Sequence, residues 1–259
     1  MADRRDELAE NSGWSELVRR IRARSPARIL AGRAGAAYRT ETQIQLREDH
    51  ATARDAVRAE FDLNAALGVR FVERWKLFEV RTRASTKDEY LLHPSLGREF
   101  SDTARVEILR RCVQGRDIQI AIGDGLSVPA VRAQVPALLP LLVEGAQPHG
   151  WSLGQTFAVH YCRVGILNEI GELLRPRVSI LLIGERPGLA TAESLSAYMA
   201  YEPRTTHSDA NRNLISNIHA RGLSAEDGAA RILSLCVQMM KTGSSGYSLK
   251  EDRAVLEGK

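Results

Sequence analysis

After residue 115, short apolar runs rich in β-branched residues alternate with longer segments of helical periodicity. The runs DIQIAIG, TFAVHYC and RVSILLI have the length and composition of buried strands. Helical segments follow the first two runs, and SAEDGAARILSLCVQMMKTG adds a last helix with Ser224 as its cap and Gly243 near its end. Alternating strands and helices are typical of a mostly parallel sheet covered on both faces, so we predict an α/β fold.

The chain before residue 115 is predicted to be mainly helical. The stretch DTARVEILRRCV indicates a helix, and its spacing predicts that Val106, Leu109 and Val113 face the core. GVRFVERWKLFEVRTRA satisfies neither the helical nor the strand period, so both remain open. We therefore predict three regions. They are an N-terminal helix and linker (1–31), a mainly helical domain (32–115) and an α/β domain (116–259).

Composition excludes several classes of protein. Lysine and arginine number 36 against 32 acidic residues, a net charge of +4, and much of the excess lies before residue 58. Only 5% of residues are aromatic, and no basic patch is interleaved with them, which argues against nucleic-acid binding.

Three widely spaced cysteines favour a reducing compartment. No apolar run reaches the roughly 18 residues of a membrane span, and the N-terminus is too polar for a secretory signal, so we expect a soluble cytoplasmic protein.

The first helix is predicted to be amphipathic. Trp14, Leu17, Val18 and Ile21 follow the spacing of one helical face, and the arginines around them lie elsewhere on the helix. Such a helix either docks on a partner or packs against the body of its own chain. The sequence leaves both possibilities open.

Two glycine-containing turns follow predicted strands, where open parallel sheets bind their ligands. GDGLS, Gly123–Ser127, offers backbone amides to a phosphate or polar tail, or else forms an ordinary tight turn. GERPG, Gly184–Gly188, places Glu185 at a strand end. That carboxylate either accepts hydrogen bonds from a ligand or pairs with an arginine such as Arg186.

A polar cluster occurs in RNLISNIHARG, before the last helix. Ser216, Asn217 and His219 there either bind a ligand or satisfy the loop backbone. Asn217, His219 and Gly222 approach the DxHxxG pattern of proteins that bind cobalamin through a cobalt-ligating histidine. Asparagine replaces the aspartate and no supporting motif follows, so we assign no metal ligand. No catalytic triad, metal-ligand cluster or paired carboxylates can be recognised, and we assign no catalytic residue.

Four stretches resemble, in their order and spacing, the small subunit (light chain) of ethanolamine ammonia-lyase: GRAGAAYRTETQIQLREDHATARDAV, IAIGDGLS, LLIGERPGLATAESLSAYMAYEPR and ISNIHARG. The resemblance implies a subunit of an adenosylcobalamin-dependent lyase that converts ethanolamine to acetaldehyde and ammonia by a radical mechanism. It implies a hetero-oligomer in which the large subunit carries the substrate site on a TIM barrel. It also implies that the region 116–259 is Rossmann-like and helps to bind the cobalamin and its cobalt at the interface.

The resemblance carries three cofactor contacts onto this chain. They are Val164 in YCRVG, Glu185 in GERPG, and Leu214 just before ISNIH. The stretch SLSAY is expected to form the wall behind Glu185. Some family members have cysteine at the last position, and because leucine has no thiol, a contact there must involve packing or the backbone. The family keeps dimethylbenzimidazole on cobalt, which also argues against His219 as a ligand. The family further suggests a bacterial microcompartment as an alternative to the free cytoplasm.

Two other functions remain as alternatives. A free-standing α/β enzyme could use GDGLS and GERPG to bind a nucleotide or phosphorylated metabolite. A nucleic-acid-binding module could use the basic N-terminal third. Turnover by the isolated chain would favour the free-standing enzyme over a subunit.

Overall fold

A computed structural model describes residues 16–24, 30 and 33–251. Helix α1 covers residues 16–23, and strands β1 (Arg33–Ala34) and β2 (Ala37–Tyr38) form a small antiparallel hairpin. Trp14, predicted on the apolar face of the first helix, lies outside the described residues. No helix of the described part is long and apolar enough to cross a membrane.

The remaining elements form a six-stranded sheet with helices around it. The helices are α2 (Thr40–Arg58), α3 (Leu63–Leu67), α4 (Val69–Trp75), α5 (Lys87–Leu92), α6 (Asp102–Arg111), α7 (Val128–Ala146), α8 (Ile166–Leu174) and α9 (Ala225–Thr242). The strands are β3 (Glu79–Arg81), β4 (Ile118–Gly123), β5 (Phe157–His160), β6 (Val178–Gly184), β7 (Leu195–Tyr201) and β8 (Asn213–Ile218). Short 3-10 helices lie at Pro94–Arg98, Gln147–His149 and Asp209–Asn211.

The strand order of the sheet is β3-β5-β4-β6-β7-β8. The first four strands in this order are parallel, and β7 and β8 continue the sheet in antiparallel fashion. The predicted α/β fold with a mostly parallel sheet is confirmed. The three predicted strands are β4, β5 and β6, and Ser224 and Gly243 cap the two ends of α9 as expected.

The segment that the sequence left ambiguous contains both kinds of structure. Helix α4 ends at Trp75, Lys76 follows with a left-handed backbone (φ 50°), and the chain then extends into β3. Strand β3 pairs with β5 at the edge of the sheet. A strand from before residue 115 thus belongs to the same sheet, while the predicted division into three regions stays a prediction.

The predicted core face of helix α6 is wrong. Three apolar side chains expected to face inward are exposed, with relative accessibilities of 67%, 47% and 59% for Val106, Leu109 and Val113. The side chains that face the core are instead those of Ala104, Ile108 and Cys112, which lie four residues apart. The helix carries apolar residues on two sides, and periodicity alone does not say which of them meets the sheet.

Two core layers cover the sheet. One lies between the sheet and helices α3, α7 and α9, with Ile180 of β6 among its members. The other lies on the opposite face against α6 and α8, with the neighbouring Leu181 among its members. This second layer ends near β7, so Leu214 and Ser216 of β8 are exposed on that face.

Candidate functional site

A cavity of about 400 Å³ opens at the carboxyl ends of β4 and β6. Its walls are the turns that follow β4, β5 and β6, together with the face of β7 and β8 that α8 leaves uncovered. Val164, Glu185 and Leu214, from three separate parts of the sequence, all line it. The position agrees with the rule that α/β sheets bind ligands beyond the carboxyl ends of their strands.

Glu185 follows β6 directly, and three donors hold its carboxylate. Ser194 donates its hydroxyl to Oε2 at 2.9 Å, Ser196 donates its hydroxyl to Oε1, and the backbone N–H of Asn217 donates to Oε1 at 3.2 Å. Both serines precede or begin β7, so the sheet itself fixes the direction of the carboxylate. The group is half-buried and oriented before any ligand arrives.

The alternative of an ion pair at Glu185 receives no support from the described residues. None of their arginines lies within 4 Å of its carboxylate, and Arg186 is exposed. The carboxylate is a hydrogen-bond acceptor on the cavity wall, which suits ligand N–H groups such as amides. Cofactor binding by Glu185 stays a prediction.

Val164 lies in the turn between β5 and α8, and a buried carboxylate beneath this turn fixes its path. Asp124, fully buried, accepts hydrogen bonds from the backbone N–H groups of Tyr161 at 2.9 Å and Cys162 at 2.8 Å. Lys87 of α5 approaches the same carboxylate with its Nζ at 3.3 Å. Tyr161 has a left-handed backbone (φ 59°), a strained conformation that this network supports.

Close packing explains Gly125 of GDGLS and Gly184 of GERPG. A Cβ on Gly125, whose φ is +55°, would lie 2.2 Å from the carbonyl oxygen of Gly184. A Cβ on Gly184 would lie 2.1 Å from the carbonyl oxygen of Ser127. The first turn of α7 is already capped, because the Ser127 hydroxyl accepts from the backbone N–H of Ala130. The turn is built to pack against the end of β6, which weakens the interpretation as a phosphate loop.

His219 serves the loop after β8. The backbone N–H of Arg221 donates to its Nδ1 at 3.2 Å, and a Cβ on Gly222 would lie 2.7 Å from its Nε2. Burial lowers the pKa of His219, and the neighbouring Arg221 adds to this effect. The spacing of Asn217, His219 and Gly222 therefore follows from a tight turn around the imidazole, and His219 does not line the cavity.

The open face of β7 and β8 completes the wall. Tyr198 and Leu214 are cross-strand partners, and Ser196 and Ser216 lie on the same face. Burial raises the pKa of Tyr198, and the nearby Glu185 carboxylate raises it further, so the phenol keeps its proton at neutral pH. Leu214 is 44% exposed and presents an apolar surface to whatever covers this face.

Comparison with known proteins gives the family. The family model described as ethanolamine ammonia-lyase light chain matches residues 15–250. The chain belongs to the ethanolamine ammonia-lyase light-chain family. Three curated relatives carry the name ethanolamine ammonia-lyase small subunit. They come from Clostridium perfringens (39% identical, 94% of this chain and 80% of the relative), Clostridium acetobutylicum (39%, 91% and 95%) and Clostridioides difficile (38%, 95% and 82%).

Membership of the light-chain family confirms the resemblance found in the sequence. The match extends on both sides of residue 115, over the helical segment and the sheet alike. The family name describes a subunit of a lyase, and within the described residues no group of three or more histidine, cysteine or acidic side chains could hold a metal ion.

Sequence reasoning missed several residues of the cavity and its support. Ser196 and Tyr198 belong to SLSAY, which is predicted to form the wall behind Glu185, and both line the cavity, although the strand conformation of this stretch is not predicted. Asp124 stands in the quoted turn GDGLS, but its partner Lys87 lies 37 residues earlier, and no local pattern joins them. Arg163 stands beside Val164 in YCRVG, where it gave no signal of its own.

Proposed function

We propose that this chain is the small subunit of an adenosylcobalamin-dependent ethanolamine ammonia-lyase and that its cavity holds one edge of the cobalamin. The large subunit is the proposed partner, in a hetero-oligomer, and carries the substrate site. The complex converts ethanolamine to acetaldehyde and ammonia. Its proposed location is the cytoplasm, with a bacterial microcompartment as the alternative.

One observation carries this proposal, the convergence of Val164, Glu185 and Leu214 on a single cavity. These residues were expected to contact the cofactor from the resemblance alone, and they stand 21 and 29 positions apart in the sequence. Chain neighbours meet by necessity, but residues at such separations meet only through the fold. Their common wall supports a common ligand.

The chemistry of the lining suits a corrinoid. Cobalamin carries peripheral amides, and the oriented Glu185 carboxylate can accept their N–H groups. Val164 and Leu214 offer apolar contact to the ring edge. Cobalamin is much larger than a cavity of about 400 Å³, so most of it would lie outside this chain, which supports a cofactor shared with a second subunit.

In this proposal the small subunit orients and shields, and it does not perform the chemistry. When bound, adenosylcobalamin supplies the radical by homolysis of its cobalt–carbon bond. Glu185 fixes the orientation of the corrinoid through its amides, while Leu214 and Val164 exclude water from that edge. The network of Asp124 holds the turn of Val164 in place.

Reconstitution tests the proposal most simply. The purified chain alone, given ethanolamine and adenosylcobalamin, is expected to form no acetaldehyde, and addition of a large subunit is expected to start turnover. Acetaldehyde formation by the chain alone would contradict the subunit role. A complex that turns over without added adenosylcobalamin, after removal of bound corrinoid, would contradict the cofactor.

The site within this complex is tested by Glu185→Gln, with Glu193→Gln as the matched control. Glutamine keeps an acceptor for Ser196 and Asn217, and the hydroxyl of Ser194 can turn to accept from the new amide, so the fold is retained. Loss of the charge-assisted bonds to the ligand is expected to weaken cobalamin binding about tenfold. Glu193 is exposed on the same loop, and its substitution is expected to leave binding unchanged. Equal cobalamin affinities of the two variant complexes would show that Glu185 does not contact the cofactor.

A further inference from the structure

Arg163 lines the cavity, and within residues 16–24, 30 and 33–251 its charge has no acidic partner. Its guanidinium lies over the ring of Tyr90, with Cζ 4.3 Å from the ring centroid. Its Nε is buried and has no hydrogen-bond partner, and no carboxylate of the described residues lies within 4 Å of the guanidinium. Arg163 as a whole is half-buried, and buried polar atoms such as its Nε are normally paired. The guanidinium therefore points to an anion that the described residues do not supply.

The guanidinium is held in a fixed position. The hydroxyl of Tyr90 lies 3.0 Å from the carbonyl oxygen of Gly125 and 2.9 Å from that of Cys162, and it donates to them. These bonds fix the ring on which Arg163 lies. The backbone N–H of Arg163 donates to the carbonyl oxygen of Gly97 at 2.8 Å, which anchors the residue at its other end. A guanidinium oriented in this way loses little entropy when it binds an anion.

We propose that Arg163 binds the phosphodiester of the cobalamin nucleotide tail. This inference rests on the proposed function and adds the recognition of one ligand group. The peripheral amides of a corrinoid are neutral, whereas the phosphodiester is anionic and has the paired oxygens that a guanidinium fork matches. Glu185 and Arg163 would thus recognise different groups of the ligand. The carboxylate would accept hydrogen bonds from amide N–H groups, and the guanidinium would donate to the phosphate.

The test compares two ligands in the reconstituted complex. Hydroxocobalamin has the nucleotide tail, and cobinamide lacks it. Arg163→Met keeps the apolar stem beside Tyr90 and removes the charge, and it is expected to weaken hydroxocobalamin binding by about 10- to 100-fold while cobinamide binding stays unchanged. Arg132→Met, which removes an exposed arginine of α7, is the matched control and is expected to change neither affinity. Thermal unfolding and subunit assembly are measured for each variant.

Each outcome decides the inference. A selective loss of hydroxocobalamin affinity supports it, and an equal loss for both ligands, or no loss, overturns it. If cobinamide binds neither protein, Arg163→Lys decides, because the variant that keeps the cation must bind hydroxocobalamin more tightly than the methionine variant. If the methionine variant fails to assemble, Arg163→Gln, which also removes the charge, takes its place, and the same selective loss is required. Failure of the wild-type complex to bind hydroxocobalamin would overturn the proposed function itself, which is a separate result.

Discussion

The two halves of the sheet are covered differently. Strands β4, β5 and β6 are buried along their whole length, because helices pack on both faces. On the cavity face of β7 only Tyr198 is partly exposed, whereas β8 has exposed residues there at Leu214 and Ser216. The strands of the parallel half therefore have continuous apolar sequences, whereas those of the antiparallel half contain both apolar and polar residues. The candidate site lies at the boundary where helix α8 no longer packs on the sheet, because side chains of the sheet are accessible to a ligand there.

The covered half also supports the open one. Asp124 is buried at the end of β4, yet its hydrogen bonds fix the turn that carries Arg163 and Val164 into the cavity. On the open side, Ser196 of β7 fixes Glu185. If this comparison is right, substitutions in the covered half should change stability first, and substitutions on the open face should change binding first.

The largest effect on stability is expected from Asp124→Asn. The substitution removes the charge that faces Lys87 and places an amide against backbone donors, which leaves buried groups unpaired. Breaking a buried pair in this way costs about 3 to 5 kcal/mol. Chemical denaturation of the full chain measures the loss. Asp102→Asn is the control, since that side chain is 96% exposed, and equal losses for the two variants would break the comparison.

A matched pair of leucines compares the two halves directly. Leu182 of β6 is fully buried, and Leu214 of β8 is 44% exposed. Leu182→Ala is expected to lower the free energy of unfolding by about 2 to 5 kcal/mol, because it leaves a cavity in the core. Leu214→Ala is expected to lower it by less than about 0.5 kcal/mol, because the site is on the surface. If chemical denaturation gave similar losses of unfolding free energy for the two variants, Leu214 would be packed within the chain, and the β7–β8 face would not be open.

The smallest effect expected is a decline of stability in weak acid. Burial lowers the pKa of His160 in the covered half and of His219 after β8 below the ordinary value of 6.5. The folded state therefore favours the neutral imidazoles. Their contribution is fully present above pH 6.5 and is lost as the pH falls from there through the lower folded-state pKa. His160→Gln and His219→Gln should each flatten the slope of unfolding free energy against pH below 6.5, and an unchanged slope would contradict the burial argument.

The sequence predicted the covered half well. Long apolar runs and capped helices identify β4, β5, β6 and α9, because burial on both faces leaves a strong local pattern. Strand β7, in SLSAYMAY, was missed because its alternation of small and large side chains is weak. Strand β3 has only three residues, too few for its pattern to distinguish a strand from a helix. Long-range pairing determines both strands.

The site was predictable in part. Glu185 could be found because it follows a recognisable strand, and the rule for open sheets draws attention to that position. Val164 and Leu214 came from the family resemblance and had no local signal. Arg163 is significant because no acidic side chain in the described part of the chain pairs with it, which no sequence pattern reveals.

The central claim is that the open face of β7 and β8 and the adjoining turns bind cobalamin, and hydrogen–deuterium exchange of the reconstituted complex tests it most directly. On addition of hydroxocobalamin, exchange is expected to slow in the turn 184–188 and in β8, while exchange in α9, on the opposite face of the sheet, stays unchanged. Slowing confined to α7 and α9, or no change in the turn and β8 at saturating ligand, would contradict the account.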